Sequence, residues 1–306
     1  MKLVVHIGSH KAGSTSIQDY CFHHPEALRA AGIHYPTGFF TRFPRQHSEL
    51  KDLVLANGMD TVRGFLRAAA EAAEAQGAGT VFLSGEDLSA LGPGLAHRFQ
   101  TAVAGLFSET EVVLVVRNKR DYLYSSYKHH LLHVGPTGEH DFVARQKFSP
   151  RRTAAAWAGL KGVNLTVLSF EAMKHDLLAQ FFRHVFAIEV RDNIVSNGSL
   201  DYITLMVVNA LVKDGGPQAM AAAMKVNARH ALAFHLPIEN VIADNLDRQY
   251  PDEDWVIPGH DLGPAVLERR VMPTAGADPV LVCRKMAELF AALEPVFAAQ
   301  RLPGAA

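Results

Sequence analysis

Cysteine is nearly absent: the 306 residues hold two, Cys21 and Cys283. Neither has a CxxC neighbour, which excludes a disulfide framework and a cysteine-type zinc site and makes a reducing compartment the default. Net charge is also lacking. Thirty Lys plus Arg stand against thirty-one Asp plus Glu, for a formal charge of −1. That balance excludes a generalised basic footprint for nucleic acid or anionic membrane, so any bound anion must be held by a local cluster. No apolar run approaches the roughly 20 residues that span a bilayer. The opening Met1-Lys2-Leu3-Val4-Val5-His6-Ile7-Gly8 is too short and interrupted for a signal peptide. The expectation is a soluble, cytoplasmic protein with no transmembrane segment and no nucleic-acid partner. Without a secretory route, the sequons at Asn164-Leu165-Thr166 and Asn197-Gly198-Ser199 read as chance matches. No internal repeat or low-complexity tract appears, only an alanine enrichment that suits helices.

What is present is a core. The chain is 48% hydrophobic and 20% charged, enough apolar surface for a compact globular fold. Short β-branched runs at 3–7, 80–83, 111–116 and 165–168 read as strands. The middle two lack strict alternation, as strands buried on both faces do. Between and after them, 15–31, 62–75, 95–107, 121–133 and 176–186 read as helices. This βαβαβαβα order predicts an α/β three-layer sandwich with a central parallel sheet. Beyond about Asn197 the strand signal fades, and 200–212, an Ala/Met-rich stretch from Pro217, and 280–299 read as helical. We expect a single domain over 1–306, with a nucleotide-binding core at 1–200 and a helical flank at 201–306. The Pro/Gly-punctuated, acidic segment from Tyr250 to His260 is expected at the surface.

The chemistry begins at Val4-Val5-His6-Ile7-Gly8-Ser9-His10-Lys11-Ala12-Gly13-Ser14-Thr15-Ser16. A strand, a small-residue turn and a helix start make an anion cradle, because the amides and dipole of a helix N-terminus favour phosphate. Gly8 and Gly13 have the spacing of a Walker A loop, but Gly13 is followed by Ser14-Thr15, and the lysine has moved to position 11. That displacement suggests a ligand without a γ-phosphate and without a metal. The plain alternative is a Gly/Ser turn capped by Ser14 or Thr15. A second cluster follows. Val112-Val113-Leu114-Val115-Val116-Arg117 puts an arginine at a strand's carboxyl end, and Ser125 lies eight residues on, past a helix start. Ligands of open parallel sheets sit at this edge. Arg117 can fork onto a phosphate, with Ser125 adding a hydroxyl.

Together these residues resemble the PAPS-dependent sulfotransferase family, in its bacterial or carbohydrate-type branch. His10-Lys11-Ala12-Gly13-Ser14-Thr15 is similar to the family's Pro-Lys-x-Gly-Thr-Thr loop for the 5′-phosphosulfate, with His10 in place of proline. Arg117 and Ser125 match the pair that holds the 3′-phosphate. Leu168-Ser169-Phe170-Glu171-Ala172-Met173-Lys174-His175-Asp176 is similar to a weaker third motif, whose aromatic, Phe170, would lie against adenine. The resemblance covers about residues 1–200. The family's C-terminal Arg-Lys-Gly-x-x-Gly segment is missing, so part of the 3′-phosphate and adenine site must be built differently.

The resemblance implies an enzyme that moves a sulfuryl group from 3′-phosphoadenosine-5′-phosphosulfate (PAPS) to a hydroxyl acceptor, a small molecule, saccharide or glycolipid, and releases adenosine 3′,5′-bisphosphate (PAP). No metal is required. Donor contacts fall to Lys11, Ala12, Gly13, Ser14, Thr15, Ser16, Arg117, Ser125 and Phe170. Lys11 supplies the cation at the leaving oxygen. The base is Glu86, just past a buried strand in Leu83-Ser84-Gly85-Glu86-Asp87, or His47 as runner-up. A helix cap is the bland role for Glu86 or Asp87. His6, inside the first strand, reads as a core histidine. His129 and His133 have an i,i+4 spacing without a third ligand. Arg151-Arg152 suits an anionic acceptor, the 3′-phosphate or a solvated pair. Phe39-Phe40-Thr41-Arg42-Phe43 suits an acceptor cleft or a hydrophobic anchor. Two other readings remain open: a P-loop kinase with a degenerate loop, and a non-catalytic nucleotide-binding module.

Overall fold

The computed structural model describes residues 1–37, 45–133, 141–142, 148–191, 221–223, 225–226, 250–268 and 279–300. The expected helices at 200–212 and from Pro217 lie almost wholly outside them. The chain divides into two compact units. The first comprises Met1–Tyr122, Lys147–Ser196 and Pro251–Glu268; the second comprises Leu123–Gln146, Asn197–Tyr250 and Arg269–Ala306.

The first unit is an α/β fold on a five-stranded, all-parallel sheet in the order β2-β3-β1-β4-β5. Its strands are β1 (Lys2–His6), β2 (Ile33–His34), β3 (Thr80–Ser84), β4 (Glu109–Val116) and β5 (Val163–Ser169). The two-residue β2 is too short for any periodicity to announce. β1 is central, with β3 on one side and β4 on the other, so the order reverses beside it, where open parallel sheets place ligands. Alternation splits the buried strands into two faces. Val4, Phe82, Val113 and Val115 pack with Ile17, Leu178, Phe181 and Phe182 of α1 (Ser14–His23) and α9 (Leu177–Phe186). The opposite face receives α4 (Met59–Ala75) and α7 (Pro150–Ala158), with α5 (Pro93–Val103) against them. Phe99 of α5 meets Trp157 of α7 at 5.8 Å.

The single helix read at 15–31 breaks at His24, because Pro25 opens α2 (Pro25–Ala30) at its first turn. α3 (Glu49–Leu55) leads into α4, and a short 3₁₀ turn, Glu86–Ala90, follows β3. α6 (Lys119–His133) begins in the first unit and continues into the second. The short α8 (Phe170–Met173) follows β5 directly.

The segment expected at the surface, Tyr250 to His260, is mostly exposed or half-buried, but part of it and of the residues after it turns inward. Trp255, Ile257 and Val266 are buried. The Trp255 ring packs near Tyr122 and Phe148, and Ser149 Oγ donates to Asp254 Oδ1 at 2.9 Å. The punctuation is real, but Trp255 and Ile257 go inward while Val256 between them stays exposed.

In the second unit, Tyr127 and His130 of α6 both lie 5.2 Å from Phe142, and α10 (Pro279–Gln300) buries Leu289 and Leu293. Among the described residues no helix is long and apolar enough to cross a membrane.

Candidate active site

β4 outlasts β1, and the connection leaving β1 stays bolted to it. The Ile7 amide donates to Val113 O (2.9 Å), the Ser9 amide to Val115 O (3.0 Å), and the Ser9 hydroxyl to the same carbonyl (2.9 Å). The chain then turns back through two left-handed residues, Lys11 at φ 67 and Gly13 at φ 81. Gly13 needs its missing side chain twice over. Its φ suits glycine, and a Cβ there would run into Leu177 Cδ2 and sit 3.2 Å from Phe170 Cε2. α1 starts at Ser14 with no side-chain cap. The Ser16 amide donates to Gly13 O at 3.1 Å, while the amides of Ser14 and Thr15 precede any intrahelical acceptor and suit an anion. Ala12 and Ser14 are buried, Lys11, Gly13 and Ser16 half-buried, and Thr15 exposed.

Arg117 reaches this loop from the end of β4. Its Nη1 donates to Lys11 O at 2.6 Å, and its guanidinium carbon lies 5.1 Å from the centre of the Phe170 ring. The loop after β1, the end of β4 and the end of β5 therefore meet at one edge of the sheet. Burial pushes Lys11 below the ordinary lysine value; the Glu86 charge opposes this and Arg117 adds to it. The turn beyond Arg117 is heavily fastened. Asn118, buried, accepts from the Arg120 and Asp121 amides (3.0 and 3.2 Å) as the cap of α6. Its Nδ2 donates to Ala265 O and Glu268 O, and its own amide donates to Glu171 Oε2 at 2.8 Å. Trp255 Nε1 donates to Arg117 O at 3.1 Å, and Lys119 Nζ to Asp252 Oδ1 at 3.0 Å. Burial raises the Glu171 carboxyl above the usual glutamate value, against the pull of the Asn118 amide. Ser125 is half-buried on α6, in the second unit.

Glu86 follows β3 at the same edge. The turn before it is rigid: the Gly85 amide donates to His6 O (2.9 Å), and a Cβ on Gly85 would lie 2.9 Å from the His47 carbonyl. Neither Glu86 nor Asp87 caps the 3₁₀ turn, which has no side-chain cap. Instead both face His10. His10 Nδ1 is 3.4 Å from Glu86 Oε1, and Nε2 is 3.3 Å from Asp87 Oδ1. Burial works against charge on the ring, but its hydrogen bonds to Asp87 and Glu86 win and push it up to about 9. Asp87 is held below the usual aspartate value mainly by His10, with Lys51 Nζ 3.6 Å away. Glu86 Oε2 is buried with no hydrogen-bond partner among the described residues.

His47 sits deeper. Its Nδ1 accepts from the Ser84 amide (3.0 Å) and its Nε2 donates to Pro36 O (2.9 Å). Burial pushes it down to about 4. The ring braces the end of β3 against the Pro36 segment. His6 is wholly buried, meets Ser84 Oγ at 2.9 Å and is pushed down to about 3 by burial. Its Nε2 has no partner among the described residues and lies against Gly8, so this core histidine is only half satisfied.

Other sequence candidates stand apart. Arg151 and Arg152 are exposed at the start of α7. Phe39, Phe40, Thr41, Arg42 and Phe43 lie outside the described residues, as does the side chain of His133. Among the described residues no group of three or more His, Cys, Asp or Glu could hold a metal ion. Sequence reasoning missed His10 as an ion partner of Glu86 and Asp87, and Asn118 and Trp255 as fasteners of the Arg117 turn. The pairing of two adjacent acids with a histidine in the facing loop was the signal for the first.

No protein-family model matches the chain, and neither does any curated protein. Among solved structures, the chain is similar to a crystal structure of a sulfotransferase from Alicyclobacillus acidocaldarius, with a TM-score of 0.40 and 14% identity over 69% of this chain and 91% of that one.

Proposed function

We propose that this protein transfers a sulfuryl group from PAPS to a hydroxyl acceptor of the saccharide or glycolipid class. The observation that carries the reading is the junction of three separately read motifs, in which Arg117 binds the Lys11 carbonyl and covers the Phe170 ring beside Gly13. In this mechanism the acceptor oxygen attacks sulfur in line. A new S–O bond forms, the bond from sulfur to the bridging phosphate oxygen breaks, and its electron pair leaves with PAP. Lys11 stabilises that oxygen, while the α1 amides and the hydroxyls of Ser14, Thr15 and Ser16 hold the 5′-phosphate. Glu86 takes the acceptor proton. His47 is the weaker base, because both ring nitrogens are engaged by backbone groups. Arg117 reads the 3′-phosphate, and Phe170 supports adenine.

The test is ligand selectivity in EDTA. PAP should stabilise the fold far more than ATP, by about 2.7 kcal/mol at one hundred times its Kd. Arg117→Ala should weaken PAP by about 1.5–3 kcal/mol and adenosine 5′-phosphosulfate, which lacks the 3′-phosphate, much less. Equal stabilisation by Mg-ATP would favour the kinase reading. PAP binding with no transfer to any acceptor or to water would favour the non-catalytic module. Equal loss of both ligands in Arg117→Ala would leave Arg117 a brace for the loop.

A further inference from the structure

Glu86 has a fixed backbone and an unfixed carboxylate. The Gly85 amide is tied to His6 O and the Gly85 backbone lies against His47, so the Cα of Glu86 cannot wander. Its side-chain torsions still can, and a base that samples several rotamers spends little time in line with an acceptor. The group that restrains it belongs to the donor loop. His10 lies between the two carboxylates, one ring nitrogen 3.4 Å from Glu86 Oε1 and the other 3.3 Å from Asp87 Oδ1, ion contacts that attract both acids only when the ring is an imidazolium with a proton on each nitrogen.

We propose that His10 is a positioning residue of the site: its imidazolium pins Glu86 through Oε1 and Asp87 through Oδ1 and so holds the Glu86 carboxylate in one orientation. This rests on the reading of Glu86 as the base. The charged groups around the clamp are Glu86 and Asp87 on the 3₁₀ turn, Lys51 on α3 beside Asp87, and Lys11 of the same loop, which feels both Glu86 and Arg117. Asp87 does not touch the reacting atoms. It supplies the second anchor that keeps the ring charged at neutral pH, with Lys51 Nζ 3.6 Å from the same Asp87 Oδ1. Because His10 precedes Lys11, the clamp also ties the donor loop to the base, so that loop and carboxylate hold one spacing.

The experiment uses the full chain with PAPS as donor and water as acceptor, reading sulfate release. Water attacks sulfur, its proton passes to Glu86, and the bridging oxygen leaves with PAP. His10→Ala should lower kcat at pH 7 by tenfold or more while changing PAP affinity less than threefold, and His10→Gln, which keeps one donor, should recover part of the loss. The wild-type to His10→Ala ratio of kcat should shrink towards 1 at pH 10, where the wild-type ring has lost its second proton. Taking a ratio cancels the titration of Lys11, common to both proteins. A ratio that stays constant with pH, or a His10→Ala variant as fast as wild type at pH 7, overturns the proposal. The ring itself gives a readout independent of turnover. By NMR, His10 should titrate near 9 in the wild type and fall towards the ordinary histidine value in Asp87→Asn. A His10 ring that titrates alike in both proteins also overturns the clamp. A wild type that binds no PAP and releases no sulfate would sink the sulfotransferase reading instead, with the ring titration still deciding the clamp.

Discussion

Replacing Gly13 with alanine adds one methyl group at the point where the loop after β1, α8 and α9 converge. Two costs add. Gly13 has φ 81 and ψ 11, and an alanine held in the left-handed region costs about 1–2 kcal/mol. The new Cβ would also collide with Leu177 Cδ2 and approach Phe170 Cε2 to 3.2 Å. Overpacking of this kind costs about 1–3 kcal/mol, with the low end favoured because the struck atom is the tip of a half-buried leucine that can rotate. The expected loss is therefore about 2–4 kcal/mol in urea unfolding at constant pH. A double-mutant cycle separates the two parts. Leu177→Ala removes the obstacle, so the double variant should be more stable than the sum of the single losses predicts, by about 1–2 kcal/mol. The backbone cost stays, because no trimming of Leu177 alters the φ that residue 13 must adopt. If Gly13→Ala unfolded at the wild-type midpoint, or if the two changes were simply additive, the loop would not have the backbone and packing described above.

Two further outcomes can be checked by unfolding alone. Asn118→Ala removes the cap of α6 and strands Ala265 O and Glu268 O, so it should cost about 2–4 kcal/mol, and a loss under about 0.5 kcal/mol would show that the cap is dispensable. Because the pKa of His10 is raised in the fold, its stabilising contribution is fully present below the unfolded value of 6.5 and is lost as pH rises through about 9. The side chain is 38% exposed, so after solvent screening the effect should be on the order of 1 kcal/mol, seen as a wild-type minus His10→Ala difference in urea midpoint that fades between pH 6.5 and 9.5. A difference that stays flat over that range would contradict the ion contacts of His10.

The sheet was readable because its strands are short, β-branched and buried on both faces, a signal that survives without any knowledge of partners. All four strands expected from the sequence are present, the first shifted by one residue and the others extended by one to three, and only β2 escaped. Motif spacing likewise pointed to the residues that gather at the sheet edge, because a strand's carboxyl end fixes where the next side chain emerges. What the sequence could not convey was which polar groups are already spoken for. His47 and Glu86 were ranked by residue type and by nearness to a strand end. The distinction between them comes from partners far apart in sequence, Pro36 and Ser84 for His47 and His10 for Glu86. A histidine with both nitrogens engaged by backbone must break a buried hydrogen bond before it can accept a proton, a penalty no local pattern reveals.

Residues 251–268 mark the same limit on a larger scale. Acidic, and broken by proline and glycine, the segment has every local property of a solvated loop, yet it carries Trp255 inward and holds the turn after β4 at three successive residues. Trp255 takes the Arg117 carbonyl, Ala265 and Glu268 take the Asn118 amide group, and Asp252 takes Lys119. These contacts fix the backbone that presents the Arg117 guanidinium to the loop after β1 and to Phe170. The segment is a returning strap that fastens the backbone of Arg117. Such a strap could not be inferred from either stretch alone, since more than 130 residues separate Trp255 from Arg117 and neither sequence encodes the other's position. The acids that gave the segment its solvated appearance are, at Asp252 and Asp254, the anchors that hold it down.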